Sequence, residues 1–198
     1  AKKIIVATGG LSIPKMGTDG MGHTFLKKIS HSINNTYPAL TPLTGKHPAN
    51  ILIPGISLDV DMKIKLDSKR KELADRKGFL FTHRGFSGPS ILDLSHYAVL
   101  ALEEKKEKPK ILINWTGFDN EKWLDILKPS KSSVLNKIKE YLPTRLAESL
   151  VIEVGLLNRN LTELKKEERN KLIEVLTNYN LDYQGHEGYA KAEVTGGG

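Results

Sequence analysis

Ser57-Leu58-Asp59-Val60-Asp61-Met62-Lys63-Ile64-Lys65-Leu66 alternates apolar and polar side chains from end to end. Successive side chains of a strand point to opposite faces, so this period describes a strand with one buried face and one in water. Half-solvated strands belong to antiparallel sheets. The charged run from Asp67 to Lys77 then predicts a turn or hairpin connection. Gly78-Phe79-Leu80-Phe81-Thr82-His83 predicts the next strand, and Lys110-Ile111-Leu112-Ile113-Asn114-Trp115 another. Between them, Pro89-Ser90-Ile91-Leu92 predicts a helix start, since proline suits the first helical turn.

From Asp119 the period changes. Asp119 can cap a helix carrying Trp123, Leu124 and Leu127, stopped by Pro129. Val134, Leu135, Ile138, Tyr141 and Leu142 mark a second helix, ended by Pro143. Leu146, Leu150, Val151 and Val154 mark a third, ended by Gly155. A fourth, capped by Thr162, presents Leu172, Ile173 and Leu176. Residues 119–180 therefore read as a small helical unit set between strand-rich segments, with the last strands beyond Tyr183. The fold class is α+β: a β-barrel-like, strand-rich subdomain with an inserted small helical bundle.

Towards the N-terminus, Ile4-Ile5-Val6 runs into Thr8-Gly9-Gly10, the pattern of a strand buried on both faces as in a parallel sheet. A loop rich in Gly, Pro and Thr follows. Then comes a helix over about Gly22 to His31 with Phe25, Leu26 and Ile29 on one face, and an extended path at Tyr37-Pro38-Ala39-Leu40-Thr41-Pro42-Leu43. The other end, Ala192-Glu193-Val194-Thr195-Gly196-Gly197-Gly198, is again a strand running into glycines. Terminal strands need neighbours, so the chain is expected to be a piece of a larger protein.

Zero cysteines exclude thiol catalysis and a disulfide framework, and the histidines show no metal-ligand spacing, so no metal is expected. No apolar run approaches the ~20 residues of a membrane span. A cytoplasmic protein fits best. The formal charge of +7 admits nucleic acid or an anionic cofactor as partner, but the lysines are mixed with glutamates, as in Glu103-Glu104-Lys105-Lys106-Glu107-Lys108.

Two stretches carry candidate chemistry. Thr8, Gly9 and Gly10 end a strand in small residues, which lets a bulky ligand approach the backbone; the alternative is an ordinary strand-to-loop turn. In Phe81-Thr82-His83-Arg84-Gly85-Phe86-Ser87-Gly88-Pro89, His83, Arg84 and the turn's N–H groups could bind an anion such as a substrate carboxylate or a phosphate. The alternative there is a tight turn with Ser87 capping the helix.

Val6-Ala7-Thr8-Gly9-Gly10-Leu11-Ser12-Ile13-Pro14-Lys15-Met16-Gly17, Tyr37 to Leu43, Phe81 to Leu92, Leu142-Pro143-Thr144-Arg145-Leu146-Ala147-Glu148 and Ala192 to Gly198 together resemble the BaiN-like (YhiN-like) family of bacterial NAD(P)/FAD-dependent oxidoreductases. The resemblance implies a Rossmann-type FAD domain interrupted by a long insert. Residues 1–43 would end the first FAD-domain portion, contributing a residual strand. Residues 44–118 and 181–198 would form the β-rich insert, and 119–180 the helical subdomain. Thr8, Gly9 and Gly10 are then the expected cofactor-proximal residues, and His83, Arg84 and Ser87 the substrate-side candidates. The resemblance also implies FAD, NAD(P)H and a small organic substrate in the intact protein.

The family's Gly-x-Gly-x-x-Gly fingerprint is absent from this sequence, so the segment alone is expected to hold no cofactor and to be inactive. Met21 and His23 stand where the resemblance implies an acidic and an aromatic residue. The expected function is therefore an insert shaping or covering the substrate side of FAD, with the remaining FAD-binding segments of its own chain as partner. The alternative is a basic β-barrel module binding RNA or a protein; with no clustered lysines and no RNA-binding aromatic motif, nucleic acid is not the expected partner.

Overall fold

The computed structural model describes residues 1–66 and 71–198. In chain order its elements are α1 (Met21–Lys28), β1 (Tyr37–Ala39), β2 (Leu43–Gly45), β3 (Ser57–Lys65), β4 (Lys71–Phe81), β5 (Gly85–Ser87), α2 (Pro89–Glu103), β6 (Lys110–Asn114), α3 (Asn120–Ile126), α4 (Val134–Lys139), α5 (Thr144–Glu153), α6 (Lys166–Thr177), β7 (Tyr179–Asn180), β8 (Tyr183–His186) and β9 (Val194–Gly196).

Seven strands form one antiparallel sheet in the order β7-β6-β3-β4-β5-β2-β8. Flat, such a sheet would hold its outer strands roughly 29 Å apart at ~4.8 Å per strand. Yet β7 and β8 are consecutive in the chain, separated by Leu181 and Asp182. Three Cα steps reach at most about 11 Å. The sheet must therefore curl until its edges nearly meet. No ladder joins β7 to β8 among the described residues, so the result is barrel-like rather than a closed barrel.

Val60, Met62 and Ile64 of β3 point inward as the alternation requires, beside Ile111 and Ile113 of β6. Phe79 and Phe81 of β4, Phe86 of β5 and Trp115 fill the interior as an aromatic cluster. Trp115 lies 5.6 Å from Phe79 and 5.8 Å from Phe81, centroid to centroid. The helical unit α3–α6 packs on β6 and β7 through α6, and one continuous apolar core spans both parts. Asp119 caps α3 as expected, accepting from Lys122 N–H at 2.8 Å.

Three expectations need correction. The charged stretch is strand from Lys71 onward, because its backbone pairs with β3 (Lys63↔Leu73, Lys65↔Lys71); the pairing supplies the strand although the sequence lacks an apolar stripe. Residues 67–70 of the expected turn lie outside the described residues. Ile4-Ile5-Val6 is not a strand, and Ile4 and Ile5 are 82% and 92% exposed. Its β-favouring side chains find no sheet neighbour among the described residues, and propensity without pairing does not make a strand. The apolar side of α1 is also exposed at Phe25 and Ile29. Finally, Thr162 sits in a 3₁₀ turn and caps nothing; α6 starts later, where the Glu168 carboxylate accepts Lys165 N–H at 2.9 Å.

A second, two-stranded sheet pairs β1 with β9. It brings the last residues of the chain back beside the first loop, with α2 packed against β1.

Candidate functional site: a junction of two Thr-Gly-Gly segments

The Thr195 hydroxyl is the hub of this junction. It accepts from Leu11 N–H at 2.7 Å and from Ser12 N–H at 3.2 Å, and lies 3.1 Å from Ser12 Oγ. A Cβ on Gly10 would fall 2.5 Å from Thr195 Oγ1, so only glycine lets the two segments meet. Gly22, at the start of α1, packs in the same way against the Thr8 side chain. Gly9 and Gly197 take φ of +72° and +78°, a backbone shape that side-chain-bearing residues rarely adopt. Thr8-Gly9-Gly10 and Thr195-Gly196-Gly197 thus lie side by side, although they stand at opposite ends of the sequence.

An open cleft of about 400 Å³ borders this junction, with Gly9, Gly10, Ser12, His23, Glu193 and Thr195 among its lining residues. The Thr18 hydroxyl is already committed to Ser12 O. The cleft offers backbone, the Ser12, Thr18 and Thr195 side chains, a histidine edge and the exposed Glu193 carboxylate. It does not suit a pyrophosphate. At the N-terminus of α1, where an anion would sit, the Asp19 carboxylate already accepts Met21 N–H at 2.9 Å.

The second candidate stretch is the turn between β4 and β5. Thr82 N–H donates to Gly85 O at 2.8 Å, and Arg84 N–H donates to the Thr82 hydroxyl at 3.2 Å. His83 and Arg84 are exposed, and neither side chain has a hydrogen-bond or ion-pair partner among the described residues. Ser87 does not cap α2. It lies in β5 opposite Leu80, and the N-cap is Gly88 at φ +93°, with no side-chain cap. The backbone conformation at Gly88 turns the chain directly from strand into helix, so there is no place for a serine cap. None of His83, Arg84 and Ser87 lines the Thr-Gly-Gly cleft; the fold leaves the two stretches apart.

Sequence reasoning missed His47, which anchors that turn from below. It is 3% exposed, its Nδ1 accepts Ile53 N–H at 3.0 Å and its Nε2 faces Gly85 O at 3.1 Å. With Nδ1 accepting, Nε2 carries the proton and donates. Burial lowers the His47 pKa against the opposing hydrogen bond, with the nearby His83 adding to the lowering. A lone histidine before a proline gives no sequence signal of such a position. The role of Thr195 was equally hidden, since its partners lie 183 and 184 residues away.

The family described as "HI0933-like protein barrel and H2TH domain" matches residues 37–194. The ribosomal RNA dihydrouridine synthases of Escherichia coli (strain K12) and Haemophilus influenzae are 28% and 30% identical over the whole chain, which covers 48% and 47% of their lengths. The 3-dehydro-bile acid delta(4,6)-reductase of Clostridium scindens is 25% identical, again over the whole chain and 50% of its own length. The chain thus spans about half the length of the curated relatives it matches. A curled antiparallel sheet carrying a helical unit agrees with the barrel in the family's description, and the match covers most of the chain: this protein belongs to the HI0933-like family.

Proposed function

We propose that this chain is the substrate-side part of a flavin-dependent reductase, shaping or covering one face of an FAD held by the remaining FAD-binding segments of the intact protein. The observation that carries the reading is the glycine junction. Its two Thr-Gly-Gly segments leave backbone exposed beside an open cleft. Bound FAD would supply hydride chemistry there, replenished by NAD(P)H. The chain's own contribution is positional: Gly9 and Gly10 admit close approach, and Thr195 locks the two segments together. His83, Arg84 and Ser87 are the substrate-side candidates, an exposed cationic turn for an anionic group. Ile4, Ile5, Met21 and Phe25 supply the apolar surface on which the other segments would pack.

The division at residues 1–43, 44–118 with 181–198, and 119–180 follows the same reading. The relatives' names share the saturation of a ring carbon–carbon double bond, and two of the three name ribosomal RNA. RNA is therefore the favoured substrate class here, although charge mixing in the sequence argued against it. A small organic substrate is the competitor, and a cytoplasmic location fits either.

One observation favours a second reading, that of a basic module binding RNA or a protein without flavin: residues 1–118 hold 18 Lys and Arg against 10 Asp and Glu. The flavin absorbance spectrum of the intact protein, with this 198-residue segment beside it, separates the two. A yellow intact protein and a colourless segment are expected. An intact protein that stays colourless after reconstitution with FAD would sink the reductase reading.

A further inference from the structure

The positive charge is not spread evenly. Residues 119–180 are nearly balanced, with 11 basic and 10 acidic side chains; residues 1–43 carry 5 basic against 1 acidic, and 44–118 carry 13 against 9. Within 44–118, lysines meet at one end of the sheet. Lys65 of β3 is directly opposite Lys110 of β6 on one side and Lys71 of β4 on the other, a row of three lysine positions across three adjacent strands. Lys63 lies two residues along β3, on the same outward face as Lys65, and Lys63, Lys65 and Lys110 are exposed. Like charges directly opposite on neighbouring strands destabilise a sheet. Nearby lysines are engaged: Lys106 pairs with Glu104 at 2.5 Å, and Lys108 donates to Tyr183 O at 3.1 Å. No ion pair or hydrogen bond engages the side chains of Lys63, Lys65 or Lys110 among the described residues. Asp119 and Glu121 border the shallow cleft beside Lys63, which places Lys63 at the flank of the row.

We propose that this outward face of β3 and β6 is a docking surface for an RNA phosphate backbone, with Lys65 and Lys110 as its centre and Lys63 at its flank. The assignment rests on the RNA reading of the substrate and adds where the polyanion lies. Phosphates between the lysines would relieve the like-charge repulsion that the free sheet carries, which makes the arrangement favourable only in the complex. Such contacts position RNA without reading its sequence.

The test is a titration of the intact protein with a fluorescein-labelled RNA hairpin at several KCl concentrations, comparing wild type with the triple variant Lys63→Gln, Lys65→Gln, Lys110→Gln. At ~0.1 M salt the variant is expected to bind roughly 100-fold more weakly, and its slope of log K against log salt to shrink by about two to three. Its melting temperature should equal or exceed the wild type's, since like-charge neighbours have been removed. If the triple variant unfolds, Lys65→Gln and Lys110→Gln singly should each reduce the slope by about 0.7–0.9. Wild-type RNA binding with an unchanged slope in the variants overturns the docking surface and leaves the RNA substrate standing. A wild-type protein that does not bind the hairpin, or binds only phosphatidylserine vesicles, overturns both.

Discussion

Ile4-Ile5-Val6 and Ile111-Leu112-Ile113 are nearly the same sequence with opposite fates. In the second, Ile111 and Ile113 are fully buried, on a strand held between β3 and β7. In the first, Ile4 and Ile5 lie in water with no strand around them. Side-chain preference is the same in both, so the difference is supplied by neighbours: a strand is a property of a ladder and only secondarily of its residues. The first trio is therefore left exposed for want of a ladder, and the second belongs to a finished core.

That contrast can be broken from the core side first. Trp115→Ala removes a side chain that is 1% exposed and whose indole N–H donates to Val175 O. A loss of about 3–5 kcal/mol in urea unfolding is expected. A loss as small as a surface substitution gives would mean that the sheet and helical unit do not share one core. The buried turn anchor comes next. Burial holds the His47 imidazole below its ordinary range, while the unfolded chain takes up a proton near pH ~6.5. The neutral form's advantage is intact above that pH, and stability falls as pH drops from there towards the lowered folded value. Urea midpoints at pH ~7.5 and ~5 should show the fall, and His47→Gln should flatten that share of it; equal slopes in both proteins would reassign the effect.

Thr195→Ala attacks the junction and not the core. Removing the acceptor for Leu11 and Ser12 should cost about 1 kcal/mol, confined to the terminal segments. Faster hydrogen exchange at Leu11 and Ser12, with the sheet's protection unchanged, is the expected signature. The smallest effect belongs to Ile5→Ser, within about 0.5 kcal/mol in this chain. A large loss there would show that the exposed trio is already packed in solution.

Much of the architecture was legible because it is written in local patterns. The alternation of β3, the Asp119 cap and the punctuation at Pro129, Pro143 and Gly155 all act within a few residues. β4 was half hidden, since Lys71 to Lys77 is held by pairing with β3 and carries no apolar stripe to announce it. At the site, the sequence singled out Thr8, Gly9 and Gly10 but not the reason for Gly10, which is the Thr195 side chain arriving from the far end of the chain. No short-range rule encodes such a meeting. The same holds for His47, whose position depends on β5 folding over it.

The placement of β7 and β8 at opposite edges of one sheet gives the short segment between them a closing role. Each pairs with a single neighbour, β7 with β6 and β8 with β2, and together they span residues 179–186. Until that short segment is made, the five other strands can form only an open ribbon with two bare edges. Everything between β6 and β7 is the helical unit, so its compaction shortens the loop between those two strands. The bundle thus sets where β7 and β8 return to the sheet, at the gap between its two edges.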